Sequence, residues 1–77
     1  MLLREFTVED HLISLTEENG LYIAKITNNK GEKLLYNEYK DYEMIKSCFD
    51  KIVQAIEIDK IGIAEIIGML ERNSVMQ

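Results

Sequence analysis

Asn19 and Gly20 lie between two stretches in which apolar residues alternate with others, HLISLTEE and LYIAKITN. An Asn-Gly pair in this setting predicts a β-hairpin, because both central residues of a type I′ turn need a positive φ. Placing the pair at the turn also fixes the register, so that Leu15 faces Ala24 across the hairpin. One face of the hairpin then carries four apolar side chains: Ile13, Leu15, Ala24 and Ile26.

A second turn, in the segment NNKGE, predicts a third strand. Whether its loop has two residues or four, Ile26 then faces Leu35 and Tyr22 faces Tyr39. Both turns place apolar residues on the same face, which is the agreement expected of a real meander. We therefore predict a three-stranded antiparallel β-meander with strands near residues 11–18, 21–28 and 33–39.

The first ten residues, MLLREFTVED, follow no clear period. Leu2, Leu3, Phe6 and Val8 fit neither the two-residue spacing of a strand nor the spacing of a helix. We expect residues 1–10 to form either a short fourth strand at the sheet edge or an irregular arm. Their charged side chains are atypical of a secretory signal peptide.

The stretch DYEMIKSCFDKIVQAIEI, residues 41–58, has the pattern of an amphipathic helix. Asp41 is placed to cap its first turn, and Glu43 adds negative charge where the helix dipole favours it. Such a helix supplies the apolar stripe that the meander of residues 11–39 needs to pack against. The stripe consists of Ile45, Cys48, Phe49, Ile52, Val53 and Ile56.

A second helix is predicted for residues 59–72, with Asp59 as its cap and residues 73–77 as a loose tail. Its apolar residues cover more than the usual ~100° of a surface helix, which favours burial in the centre of the fold or against a partner. Gly62 and Gly68 each cost about 1 kcal/mol relative to Ala inside a helix. They either allow the close approach of another helix or are simply tolerated.

The predicted fold is one small α+β domain over residues 1–77, a β-meander followed by two α-helices. Helix one covers one face of the meander. The other face carries four sizeable apolar side chains: Leu12, Ile23, Leu34 and Tyr36. Helix two or a second copy of the protein would cover them, unless the stems of Lys25 and Lys33 shield them.

Size and composition narrow the classes of function. Hydrophobic residues make up 47% and charged residues 30% of the 77 residues, as is typical of a soluble globular protein. A chain this short buries only about 60% of its unfolded surface, and its single cysteine offers no internal disulfide, so self-association is the stabiliser left to consider. The unpaired thiol favours the cytoplasm. The net charge of −5 argues against direct nucleic-acid binding, and no apolar run is long enough to span a membrane.

No catalytic, metal-binding or nucleotide-binding motif stands out, so we predict that the protein is not an enzyme and needs no cofactor. His11, the only histidine, follows Glu9 and Asp10. Neighbouring residues of a strand point to opposite faces, so these three would not converge on one ion. Cys48 lies on the apolar stripe of helix one, where it is expected to be a small core residue rather than a nucleophile.

These observations predict a non-enzymatic protein-interaction or assembly module of bacterial or phage type that acts as a homodimer. Its mechanism would be the burial of apolar surface in an isologous contact. The predicted interface residues are Ile23, Leu34 and Tyr36 on the second sheet face, with Ile63, Ile66, Ile67 and Leu70 on helix two.

The alternative is an acidic inhibitor that mimics phosphates and docks onto a basic groove of a nucleic-acid enzyme. Its contact would use carboxylates at the turns and at the strand–helix junction: Glu17, Glu18, Glu32, Glu38, Asp41 and Glu43. The run YIAKITNNKGEKLLYNEYKDYEMIKSCFDKIV resembles small proteins of Gram-positive bacteria and their phages, including some phage inhibitors of CRISPR nucleases. This resemblance covers about half of the chain and carries no diagnostic motif, so it assigns no family.

Overall fold

The computed structural model describes residues 1–74 and has an α+β architecture, in which an antiparallel sheet is followed by two helices. The sheet has four strands in the order β1-β2-β3-β4. The elements are β1 (Leu2–Val8), β2 (His11–Glu18), β3 (Leu21–Thr27), β4 (Lys33–Tyr39), α1 (Tyr42–Asp59) and α2 (Ile63–Ser74). The predicted β-meander followed by two helices is therefore confirmed, and the N-terminal segment adds a fourth strand.

The register of the meander is the one predicted from its turns. Leu15 pairs with Ala24 in the first hairpin, and Ile26 pairs with Leu35 in the second. Gly20 has a φ of 83° at the first turn. The Asn28 side chain holds the second turn together. Its oxygen accepts hydrogen bonds from the backbone N–H groups of Lys30 and Glu32, both at 2.9 Å.

The strand β1 joins β2 through a tight turn at Glu9 and Asp10, whose φ values are 51° and 62°. Positive φ is uncommon for Glu, which explains why this turn lacks the sequence signature of a hairpin. Phe6 pairs with Ile13, so β1 adds an apolar side chain to the same face as the meander. A bulge near Leu3 interrupts the pairing at the start of β1.

Both helices pack on one face of the sheet, which we call the inner face. The Asp41 side chain caps α1 by accepting a hydrogen bond from the N–H of Met44 at 3.2 Å, as predicted. Lys60, with a φ of 54°, ends the helix in the left-handed conformation. The core consists of Ile13, Leu15, Ala24, Ile26, Leu35, Tyr39, Ile45, Cys48, Phe49, Ile52, Ile66 and Leu70.

The predicted start of the second helix was wrong. Asp59 is the last residue of α1, and α2 begins only at Ile63. The cap of α2 comes from the β1–β2 turn, because the Glu9 carboxylate accepts a hydrogen bond from the Ile63 N–H at 2.7 Å. Of the predicted tail, residues 73–74 belong to α2, and residues 75–77 lie outside the described part of the chain.

Gly62 lies just before α2, and its backbone is approached closely by the Glu9 side chain. A Cβ at position 62 would lie 2.6 Å from the Glu9 Oε1 atom, a distance that real Cβ contacts do not reach. The glycine thus allows a close approach, and the neighbour is the side chain of a turn rather than a helix. A Cβ at Gly68 would meet only the end of the Arg72 side chain, at 3.4 Å.

Candidate functional site

The face of the sheet opposite the helices, the outer face, is the best candidate for a functional surface in residues 1–74. Side chains alternate between the two faces of a strand, so the pairing register shows which residues share it. The outer face carries Glu5 and Thr7 of β1, Leu12, Ser14 and Thr16 of β2, Ile23, Lys25 and Thr27 of β3, and Leu34, Tyr36 and Glu38 of β4.

Exposed apolar side chains gather at one end of the outer face. Leu12 pairs with Thr27, and a bulge places Lys33 and Leu34 together opposite Thr27 on its other side. Leu12 is 39% exposed and Leu34 is 46% exposed. Tyr36, in the next row, is 47% exposed. We call Leu12, Leu34 and Tyr36 the apolar patch. Burying the patch against a partner would remove this apolar surface from water.

Tyr36 also positions a charge at this patch. The Lys33 amino group lies 4.9 Å from the centre of the Tyr36 ring, a cation–π contact. An aromatic ring with one wet polar end and an adjacent cation is typical of protein-contact surfaces, where aromatic residues are enriched.

The predicted interface residues differ widely in their exposure in the structure. Ile23 is only 5% exposed at the centre of the outer face, while Ile66 and Leu70 of α2 are fully buried in the core. Ile63 and Ile67 are partly buried and pack against that core. The prediction of α2 as an exposed interface is thereby corrected, because the sheet and α1 already cover the deepest part of its apolar stripe. Leu34 and Tyr36 remain as the predicted interface residues that are largely exposed.

Two further exposed residues belong near this surface. Leu12 was placed on the outer face by its alternation but was not included in the predicted interface. Leu2, 55% exposed, pairs with Thr16 of the outer face. Its place could not be predicted, because the segment around it has no clear period and its turn has no Asn-Gly signal.

A groove of about 440 Å³ runs between β1 and the C-terminal half of α1. Its lining includes the apolar residues Phe6, Val53 and Ile56. Arg4 borders the groove, but its guanidinium is held by the Asp50 carboxylate. Hydrogen bonds from Lys46 and from this arginine lower the pKa of the Asp50 carboxyl. Glu5, Thr7 and Glu57 also line the groove.

The candidate chemical groups are engaged elsewhere. His11 Nδ1 lies 2.6 Å from the backbone oxygen of Glu9, and the Glu9 carboxylate caps α2. Glu9 and Asp10 form a turn rather than a strand, so the premise that all three lie in one strand was wrong. Burial raises the pKa of the Cys48 thiol, which keeps it protonated and poorly nucleophilic at neutral pH. Within residues 1–74, no three His, Cys, Asp or Glu side chains are grouped so as to hold a metal ion.

Several of the carboxylates predicted for the inhibitor's contact bind to nearby groups of their own chain. Glu17 accepts a hydrogen bond from the N–H of Gly20 at 3.0 Å, Glu32 accepts one from the Asn28 side chain at 2.9 Å, and Asp41 caps α1. These contacts give the acidic turns a structural role. The other three carboxylates predicted for that contact, Glu18, Glu38 and Glu43, are exposed.

Comparisons with known proteins give no relative on which to base a function: no family model, curated protein or solved structure matched the chain. In the described part of the chain, neither helix combines the length and apolar character needed to cross a membrane.

Proposed function

We propose that this protein is a non-enzymatic interaction module that forms a homodimer through the outer face of its sheet. The observation that carries the proposal is the apolar patch, in which Leu12, Leu34 and Tyr36 are 39–47% exposed on the face without helices. Each fully buried side chain of this size contributes about 1.5–3 kcal/mol, so covering the patch is a sufficient driving force for a weak association.

The size of the outer face predicts the strength of the dimer. Four strands at about 4.8 Å spacing and seven residues at about 3.3 Å rise give a flat footprint of roughly 440 Å² per copy. Two copies then bury roughly 900 Å², which is below the usual ~1,200–2,000 Å² of stable interfaces. We therefore expect a dissociation constant on the order of micromolar and a dimer that dissociates on dilution.

The test is the mass in solution across a dilution series, measured by light scattering and sedimentation for three proteins. The wild type should change from dimer to monomer with dilution. Leu34→Glu should stay monomeric, because it places a carboxylate in the buried contact. Ile58→Glu is the matched control: Ile58 is 67% exposed on α1, away from the outer face, so this variant should behave as the wild type does.

Two results would overturn the proposal. A wild type that stays monomeric at every concentration would contradict the homodimer. A Leu34→Glu variant that dimerises as well as the wild type, while Ile58→Glu dissociates, would move the contact to α1. Circular dichroism of each variant ensures that a loss of mass is not a loss of folding.

The second candidate function is the acidic inhibitor, which is favoured by the net charge of −5 and by the exposed carboxylates of Glu18, Glu38 and Glu43. It differs from the dimer in its response to salt. Docking onto a basic groove should weaken steeply at about 1 M salt, where the Debye length falls to ~3 Å. The dimer draws its affinity from apolar burial and should persist under the same conditions.

A further inference from the structure

The strand β1 lies at an edge of the sheet, and within residues 1–74 it pairs with β2 alone. Val8 and His11 close the two-residue turn of the β1–β2 hairpin, so the backbone N–H and C=O groups of Val8 point towards β2. These groups alternate along a strand, and those of Glu5 and Thr7 therefore point away from β2. A bulge interrupts β1 before Arg4, which leaves residues 4–8 as the regular part of the edge. Such a row of donors and acceptors is a template for a further strand.

The groove between β1 and α1 opens along this same edge. Its lining includes all five residues of the regular edge, both those of the inner face and those of the outer face. Every second side chain of a strand added to β1 would project on the inner side, above α1. There the groove presents Phe6, Val53 and Ile56, which are only partly buried. An added strand could therefore pair its backbone with β1 and bury apolar side chains in the groove.

The charged residues that line the groove are Arg4, Glu5 and Glu57. The Arg4 guanidinium is bound to the Asp50 carboxylate, so its charge is balanced within the chain. The Lys60 amino group donates to the backbone oxygen of Glu57 at 3.0 Å and not to its carboxylate. Neither the Glu5 nor the Glu57 carboxylate is in an ion pair in the described part of the chain. The rim of the groove is therefore acidic and complements a basic partner.

We infer that the edge of β1 and this groove form a docking site for an extended segment of a partner protein, in which a basic residue stands between two apolar residues. The segment adds a strand to the sheet. Its basic residue lies opposite Glu5, and the apolar residues, opposite Arg4 and Phe6, project into the groove. The strand β1 of a second copy fits less well, because its one basic side chain, Arg4, is already bound to Asp50.

The probe is a capped, fluorescein-labelled peptide of about seven residues with Thr-Val-Lys-Val-Thr at its centre, which matches the length of the edge. Fluorescence anisotropy should show saturable binding when the full chain is titrated into it. A peptide of the same composition with its two valines adjacent should bind about ten-fold more weakly, because adjacent side chains point to opposite faces. Leu34→Glu should bind the peptide as the wild type does, since the apolar patch is not part of this site.

Methylation of the peptide backbone separates strand addition from simple burial of side chains. Alternate N–H groups of an added strand face β1, whichever way the strand runs. A methyl group on the lysine nitrogen and a methyl group on both valine nitrogens should therefore have opposite effects, one abolishing binding and the other leaving it intact. Equal affinities of the two methylated peptides would overturn strand addition.

Substitutions on α1 test the groove and its charge. Val53→Gln should weaken binding about ten-fold, because it places an amide among the apolar side chains. Ile58→Gln is the matched control, since Ile58 is 67% exposed on α1 and does not line the groove. Glu57→Gln should weaken binding about two- to five-fold, whereas Glu43→Gln, at the other end of α1, should not. Circular dichroism of each variant checks that it folds.

Amide hydrogen exchange locates the bound peptide. The N–H groups of Glu5 and Thr7 should exchange more slowly when the peptide is bound, whereas the N–H of Phe6 already pairs with β2 and should change little. Binding that leaves Glu5 and Thr7 unaffected would place the peptide elsewhere and overturn the inference. Protection of both groups in concentrated protein without peptide, lost on dilution, would make a second copy the occupant.

The absence of saturable binding at about 1 mM peptide would also overturn the inference. None of these results bears on the proposed homodimer, which is tested separately by the mass of the wild type and of Leu34→Glu in solution.

Discussion

The Glu9 carboxylate accepts a hydrogen bond at 2.7 Å from the backbone N–H of Ile63, the first residue of α2. The first N–H groups of a helix have no partner within it, and a negative charge there interacts favourably with the helix dipole. This contact spans 54 residues and joins the β1–β2 turn to the last helix. The turn and the helix should therefore lose stability together when the contact is removed.

Replacing Glu9 by Ala should lower the free energy of unfolding by about 0.5–2 kcal/mol, the usual effect of losing an N-terminal cap. Glu9→Gln should lower the free energy of unfolding by less, because glutamine keeps a side-chain oxygen that can accept the hydrogen bond. Asp10→Ala is the control, since Glu9 and Asp10 both have positive φ and Ala meets the same backbone strain at each position. Urea unfolding of the dilute protein measures all three, and equal losses for Glu9→Ala and Asp10→Ala would contradict a capping role.

Gly62→Ala should lower the free energy of unfolding only while the Glu9 side chain is present. The added Cβ would lie 2.6 Å from Glu9 Oε1 and displace the carboxylate from Ile63. In the Glu9→Ala background the added Cβ has no carboxylate beside it, so the same substitution should hardly change the free energy of unfolding. A double-mutant cycle of urea unfolding should therefore show a coupling free energy of about 0.5–2 kcal/mol.

Gly68→Ala provides the contrast for this cycle. Its Cβ would meet only the flexible end of Arg72, at 3.4 Å, inside α2. Ala is a better helix former than Gly by about 1 kcal/mol, so this variant should be more stable than the wild type. Additive effects of Gly62→Ala and Glu9→Ala would show that the close approach is not what requires glycine at position 62.

The sequence predicts the meander well because its information is local. Asn19 and Gly20 supply the positive φ that their turn requires, and the two-residue period then fixes which side chains share a face. The cap of α1 by Asp41 is local in the same sense. Glu9 and Asp10 of the β1–β2 turn also have positive φ, but Glu rarely adopts it, so this pair gives no comparable signal.

The start and the burial of α2 depend on tertiary contacts that the sequence pattern does not contain. Asp59 is a good capping residue, yet α1 continues through it and Glu9 caps α2 from another part of the chain. The Leu70 backbone oxygen accepts a hydrogen bond from the buried Tyr39 hydroxyl at 3.0 Å, which ties α2 to β4. The wide apolar stripe of α2 therefore packs largely within its own chain. The outer face was predictable because alternation along a strand is enough to place Leu34 and Tyr36 on it.

Phe49→Ala should destabilise the protein by about 3–5 kcal/mol, enough to unfold a domain of this size. Phe49 is fully buried, and its ring meets that of Phe6 edge-to-face at 6.2 Å between centroids. Phe49→Leu should retain most of the volume and a measurable unfolding transition. A melting temperature of Phe49→Ala that matches the wild type would show that this face of α1 is not packed on the sheet.

The stability should fall in alkaline solution because of two buried groups. Burial raises the pKa of the Tyr39 hydroxyl above its ordinary 10.0 and the pKa of the Cys48 thiol above 9.0. The unfolded chain then releases these protons at a lower pH than the folded chain does. Their contribution to stability is complete below pH 9.0, and it is lost as the pH rises through 10.0 towards the raised values.

Tyr39→Phe with Cys48→Ala should make the free energy of unfolding less dependent on pH above pH 9.0. The double variant is less stable at neutral pH, since the Leu70 oxygen loses the Tyr39 hydroxyl, so the comparison uses the slope against pH rather than the absolute value. Ile52→Val is the control: it costs about 0.5–1.5 kcal/mol in the same core and removes no titrating group. Urea unfolding at several alkaline pH values gives the three slopes. If the double variant keeps the steep wild-type slope, the alkaline loss arises from groups other than Tyr39 and Cys48.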